Sequence, residues 1–156
     1  MAINVTSPLT GATVPGLTSP TYTLVDDISP AGAAARQKVV TALGGTQAGV
    51  LTHTISSPFI VLAQRPSTYK VLGRPHPVTG LINDVPVNTT RVVVKKGVVP
   101  AANQPSKICT VDISVHCPAG AETFDFQNVA AAISAALGAA WQQSSGLAST
   151  VNIGTL

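Results

Sequence analysis

Apolar and polar residues alternate most strictly over Lys107–His116. Cys109, Val111, Ile113 and Val115 have one parity, and Thr110, Asp112, Ser114 and His116 the other. A period of two puts the two sets on opposite faces of a β-strand. Thr90–Lys96 behaves alike, with Val92 and Val94 set against Arg91, Val93 and Lys95. The two segments flank the loop Val99–Ser106, which predicts a strand pair with one apolar face and one polar, partly basic face. Upstream, Thr21–Asp27 has strand composition and ends in turn-forming residues, while 50–56, 59–62 and 68–72 read as further strands divided by Pro58 and Pro66. Residues 29–43 are mixed: Ala31–Ala35 favours helix, Lys38–Thr41 favours strand, and Gly44-Gly45 closes the run. A loop followed by a strand is expected there. Pro8, Pro15 and Pro20 with Gly11 and Gly16 mark residues 1–20 as an arm or loose hairpin, and 73–88 reads as a long exposed excursion.

Past residue 120 the period changes. Phe126, Val129, Ile133, Leu137 and Trp141 recur at steps of three or four, forming one stripe of a helix. Asp125 or Thr123 is the candidate N-cap, and Gly138 is a candidate bend or end. The flanks are alanines, and no charged residue follows Asp125 before Trp141. A surface helix of a monomer keeps a charged face toward water. This one has none, so it is expected to pack on more than one side, against a second copy of the chain. The alanine flanks would also suit a helix pressed on its own sheet. The chain then divides into an arm (1–20), a sheet (21–117), a helical region (123–146) and a tail (147–156), all within one domain.

Composition sharpens this picture. Charged residues are 10% of 156, against about 25% in an ordinary soluble domain. The surface is therefore mostly uncharged polar, or much of it is buried against partners. All nine Lys and Arg lie between Arg36 and Lys107, and the formal net charge is +3. Arg91 and Lys95 share a strand face, while Arg65, Tyr69 and Lys70 cluster just before it. Cations can neutralise phosphates and a tyrosine ring can stack on an unpaired base, so these residues are the candidate nucleic-acid contacts.

Other chemistry finds little support. Asp112, Ser114 and His116 are catalytic residue types on one strand face. Same-face neighbours stand nearly 7 Å apart, too far for a nucleophile and its base to meet. There is no P-loop, G-x-G-x-x-G or G-x-S-x-G, and no metal-ligand spacing, so neither catalysis, cofactor nor metal is expected. No apolar run reaches the length of a membrane span. The start of the chain shows no secretory signal, which makes the sequons at Asn4 and Asn88 idle and predicts that the protein stays where it is made. Cys109 and Cys117 are too far apart on one strand to bridge each other. They read as buried or free thiols, with Cys117 able to pair between subunits.

The order of elements resembles the coat protein of the levivirus-like single-stranded RNA bacteriophages. The resemblance is carried by Tyr22-Thr-Leu-Val-Asp-Asp27, by Val87-Asn-Thr-Thr-Arg-Val-Val-Val-Lys95, and by Val111-Asp-Ile-Ser-Val115 followed by the helix. It implies an α+β fold: an antiparallel sheet with carboxyl-terminal helices, in which two subunits join their sheets and cross their helices in an interlocked homodimer. Dimers would build an icosahedral shell, the Val99–Ser106 loop making contacts at symmetry axes. The protein would be a virion component assembled in the bacterial cytoplasm, with single-stranded genomic RNA, or an RNA hairpin whose binding represses translation, on the inner sheet face. By position Arg91, Val93, Lys95, Thr110, Asp112 and Ser114 would line that face, Asp112 being a departure because a carboxylate repels phosphate. Phe126, Val129, Ile133, Leu137 and Trp141 would form the dimer interface. The low charge and Thr-rich strands also suit a structural β protein without nucleic acid, such as a pilus, tail or adhesin module.

Overall fold

The computed structural model describes residues 3–30 and 32–155. Met1, Ala2, Ala31 and Leu156 lie outside the described residues; they include ends of the expected arm, Ala-rich run and tail. Six strands form one antiparallel sheet in sequence order: β1 (Leu9–Thr10), β2 (Thr18–Asp27), β3 (Ala35–Thr46), β4 (Phe59–Gln64), β5 (Val87–Val98) and β6 (Lys107–Pro118). Three helices follow, α1 (Ala121–Phe124), α2 (Phe126–Gln142) and α3 (Ser144–Ile153). The α+β class expected from the sequence is the one observed.

The β5–β6 hairpin pairs without irregularity from Val87↔Pro118 to Val98↔Lys107, as its strict alternation predicts. The β2–β3 pair is less regular, with register shifts between Thr18 and Thr21 and between Thr23 and Leu24. Glycine is required at the first of these. Gly45 has φ +74°, and a Cβ there would collide with the carbonyl oxygens of Thr18 and Ser19. Gly44-Gly45 therefore does not close the strand, which continues to Thr46. The helical tendency of the alanine run survives only as a short 3-10 turn at Gly32–Ala34.

The core lies on the face of even-numbered β5 residues. Leu24, Val40, Phe59 and Val61 are buried there, and Val5, Leu9, Tyr22, Leu43, Val50 and Val94 pack around them. Tyr22 meets Phe59 edge to face with ring centroids 5.5 Å apart. The arm thus closes one side of the core.

Two expected strands are absent. Residues 50–56 fold over the core as a connection: the His53 N–H bonds the Val40 carbonyl, His53 Nδ1 accepts the Phe59 N–H at 3.1 Å, and a Thr54–Ser57 turn ends the segment. Residues 68–72 have strand-like composition but no strand to pair with. Instead the buried Asn88 amide takes both backbone groups of Lys70, accepting its N–H and donating to its carbonyl, each at 2.9 Å. A side chain so committed also makes Asn88 a poor glycan acceptor. Asn88→Ala leaves two backbone groups without these partners, and a buried orphan costs about 1–3 kcal/mol. A lower thermal unfolding midpoint in that variant checks the role.

The helical region also departs from expectation. Asp125 stands at the start of α2 but makes no capping bond to the backbone; its carboxylate accepts from the Asn128 amide at 2.8 and 3.0 Å. Thr123 lies inside α1. Gly138 neither ends nor interrupts α2, which runs on to Gln142. The chain stays helical beyond residue 146, where the tail was expected to begin, because α3 continues to Ile153 and closes on Gly154 at φ +79°. Left-handed glycine just past a helix is the usual stop.

Candidate nucleic-acid and assembly surfaces

The ladder sorts the sheet's outer strands into rows. Gln64, Arg91 and Ser114 form one row across β4, β5 and β6; Leu62, Val93 and Asp112 form the next; Ile60, Lys95 and Thr110 the third. Directly opposite residues project to the same side. Arg91, Val93, Lys95, Thr110, Asp112 and Ser114 therefore share one face, away from the core. Val93 differs from the others in being 4% exposed, so it shapes the face and offers little surface of its own.

The charges of Arg91 and Asp112 are tied up locally. Arg91 Nε donates to Gln64 Oε1 at 2.9 Å, and its Nη1 stands 3.8 Å from Asp112 Oδ2. The Ser114 hydroxyl donates to Asp112 Oδ1 at 2.8 Å. Asp112 is thus held by a cation and a hydroxyl, which offsets its repulsion of a phosphate. His116 pairs with Thr89 at 3.0 Å and not with Ser114, so the hydroxyl has no imidazole facing it. Gln64 and Thr89 also belong to this face. Neither carries a signal of its own, though extending the alternation of 59–62 by two residues reaches Gln64.

The upstream basic segment splits. Arg65 lines a concave area with Gln64, Arg91, Asp112, Ser114 and His116, and its guanidinium lies 6.0 Å from the Tyr69 ring centre. Tyr69 and Arg65 also border a neighbouring hollow with Arg36 and Thr90. Lys70 is anchored elsewhere, its backbone docked on Asn88, whose parity places it on the core face. Lys96 belongs to that core face too. Its ammonium bonds the Leu51 carbonyl at 2.9 Å and sits 4.9 Å over the Phe59 ring, and burial pushes its pKa down.

The other conspicuous surfaces are apolar. No residue of α2 or α3 is buried; Phe126 is 58%, Leu137 48% and Trp141 62% exposed. The helix therefore does not press on its own sheet. Val111 and Ile113, on the core-side face of β6, are also open to solvent. The two edges of the sheet are unequal: β1 has two residues, whereas β6 has twelve, and among the described residues no strand lies on its outer side. Its row of open backbone groups holds no proline before Pro118 and no lysine after Lys107. Monomers ordinarily cover or blunt such an edge.

An open edge strand beside an uncovered apolar helix is the surface of a chain that packs against others. No family model matches the sequence, and no curated protein matches it. A solved structure does match: the virus-like particle of bacteriophage ESE020 is 46% identical, with 99% of this chain and 100% of that chain covered and a TM-score of 0.95. At that identity over the full length, the chain belongs to the same family of bacteriophage capsid proteins. Its role is that of a structural component of the virion. This relation favours the shell reading over the pilus, tail or adhesin one.

Proposed function

We propose that the protein is the coat protein of a levivirus-like RNA phage, which dimerises, assembles an icosahedral shell in the bacterial cytoplasm and holds single-stranded genomic RNA on its polar sheet face. Dimers form when two β6 edges pair into one continuous sheet and the α2 stripe of each chain, Phe126, Val129, Ile133, Leu137 and Trp141, covers apolar surface of the other. The observation that carries this reading is the joint exposure of Phe126, Leu137 and Trp141 on that stripe, with Val129 and Ile133 half-buried, and of the β6 edge, in a chain 46% identical to a virus-like-particle protein. Arg91, Lys95 and Arg65 contact phosphates, Thr110 and Ser114 offer hydroxyls, Tyr69 borders the site, and Val93 forms its floor, whereas Lys70, docked on Asn88 at the core face, takes no part. Binding of an RNA hairpin there would repress replicase translation.

Expression without added nuclease tests the reading: particles absorbing strongly at 260 nm are expected, and a small RNA-free monomer refutes it. Arg91→Ala combined with Lys95→Ala should leave dimers intact and weaken RNA binding. The loss of two phosphate contacts lowers the slope of log affinity against log salt by about 1.4 for a single strand. An unchanged slope and RNA content remove both residues from the site.

A further inference from the structure

β6 carries both cysteines, Cys109 exposed and Cys117 half-buried, and neither is bridged. They share one face of the strand but lie eight residues apart, about 26 Å along it. Each thiol must look outside its own chain for a partner.

If two β6 edges pair, symmetry restricts how. An antiparallel pair related by a two-fold axis keeps its faces only when the axis is perpendicular to the sheet. Paired residues then have equal parity, so that polar continues polar and apolar continues apolar. For a strand running from Lys107 to Pro118, the full-overlap register would set residue 112 opposite 113 and is forbidden on this ground. The two nearest allowed registers centre on Asp112 or on Ile113, and each retains eleven paired residues out of twelve.

They differ in what they bring together. Centring on Asp112 sets that carboxylate against its own copy and Lys107 against Cys117. Like charges directly opposite are destabilising. Centring on Ile113 sets Asp112 against a serine it can bond, Thr110 against His116, and Val111 against Val115. It also sets Cys109 against Cys117, twice, once on each side of the axis.

We infer that two copies pair β6 to β6 with the axis at Ile113, so that Cys109 of each chain faces Cys117 of the partner subunit and the two thiols form an oxidisable site across the dimer. The inference rests on the dimer reading above and fixes its register. Opposed residues of an antiparallel ladder have Cα atoms about 4.5–5.5 Å apart, inside the range of about 4.4–6.8 Å that a disulfide spans. The oxidant is a small-molecule disulfide such as glutathione disulfide. Its S–S bond breaks, one S–S bond forms between the chains, and the two protons and two electrons given up by the protein thiols convert it to two molecules of reduced glutathione.

The test treats assembled wild-type particles with glutathione disulfide and reads non-reducing gels and disulfide-linked peptides. A dimer-mass band that joins Cys109 to Cys117 is expected. Cys109→Ser alone and Cys117→Ser alone should each lose the band completely. Co-expression of the two variants in one cell should restore it, because a mixed dimer keeps one facing pair. A bridge joining like cysteines overturns the register, as does the absence of any 109–117 link under both glutathione disulfide and dibromobimane while particles remain intact. The wild-type peptide map decides even where a serine variant does not fold. A reduced wild-type protein that sediments as a monomer defeats the dimer reading itself, a separate outcome.

Discussion

Leu137→Asp is expected to give a folded chain that forms neither dimers nor particles. Leu137 is 48% exposed in the single chain and no α2 residue is buried there, so an aspartate at this position costs the isolated fold little. In the dimer proposed here the same position is covered by the partner. Two terms then act together: loss of burial of a leucine, worth about 1.5–3 kcal/mol, and burial of an unpaired carboxylate, which costs about 3–5 kcal/mol. The charge term dominates. It alone weakens the dimer by about two to four powers of ten. Circular dichroism should be near that of wild type while sedimentation shows monomers. Normally assembled particles from this variant would refute the buried-stripe argument.

How far the sequence could be read depended on whether an element's partner is local. β5 and β6 were legible because each strand's neighbour is the other, joined by one short loop, and because a two-residue period fixes which face each side chain takes while the loop selects the register. That legibility extended to the candidate site: the common face of Arg91, Lys95, Thr110 and Ser114 follows from parity alone, and the rows from the ladder. The segments 50–56 and 68–72 have the same composition as strands, and composition does not say whether a ladder is there to receive them. One is diverted over the core by His53, and the other is held by the Asn88 amide in place of a strand.

The start of β2 at Thr18, inside the expected arm, was hidden by Pro20, which sits at a register shift where a missing N–H does no harm. The tail is helical although its Ser, Thr, Asn and Gly have the composition of a loop. Gly154, correctly placed to stop a helix, was the available signal. The α2 stripe was legible as a stripe, but period alone does not say what covers it. Period and polarity reveal that a surface needs a partner and leave the partner's register to symmetry.

The edge strand offers the complementary experiment. Ile113 is 43% exposed in the single chain, on the core-side face of β6 but beyond the buried cluster. Ile113→Lys should therefore be tolerated by the monomer. With the two-fold axis at this residue, the substitution sets two ammonium groups directly opposite each other, where like charges repel and neither has a counter-ion. Dimers should be lost, and higher salt should recover part of them, because any portion of the interaction reached by solvent is screened. Ile113→Asp should fail in the same way. Co-expression of the lysine and aspartate chains makes the decisive comparison: mixed dimers set opposite charges across the axis and should form where neither variant assembles alone. Rescue by opposite charge requires that residue 113 meets itself. If Ile113→Lys assembles normally at low salt, or if the mixture does no better than its parts, the axis lies elsewhere along β6.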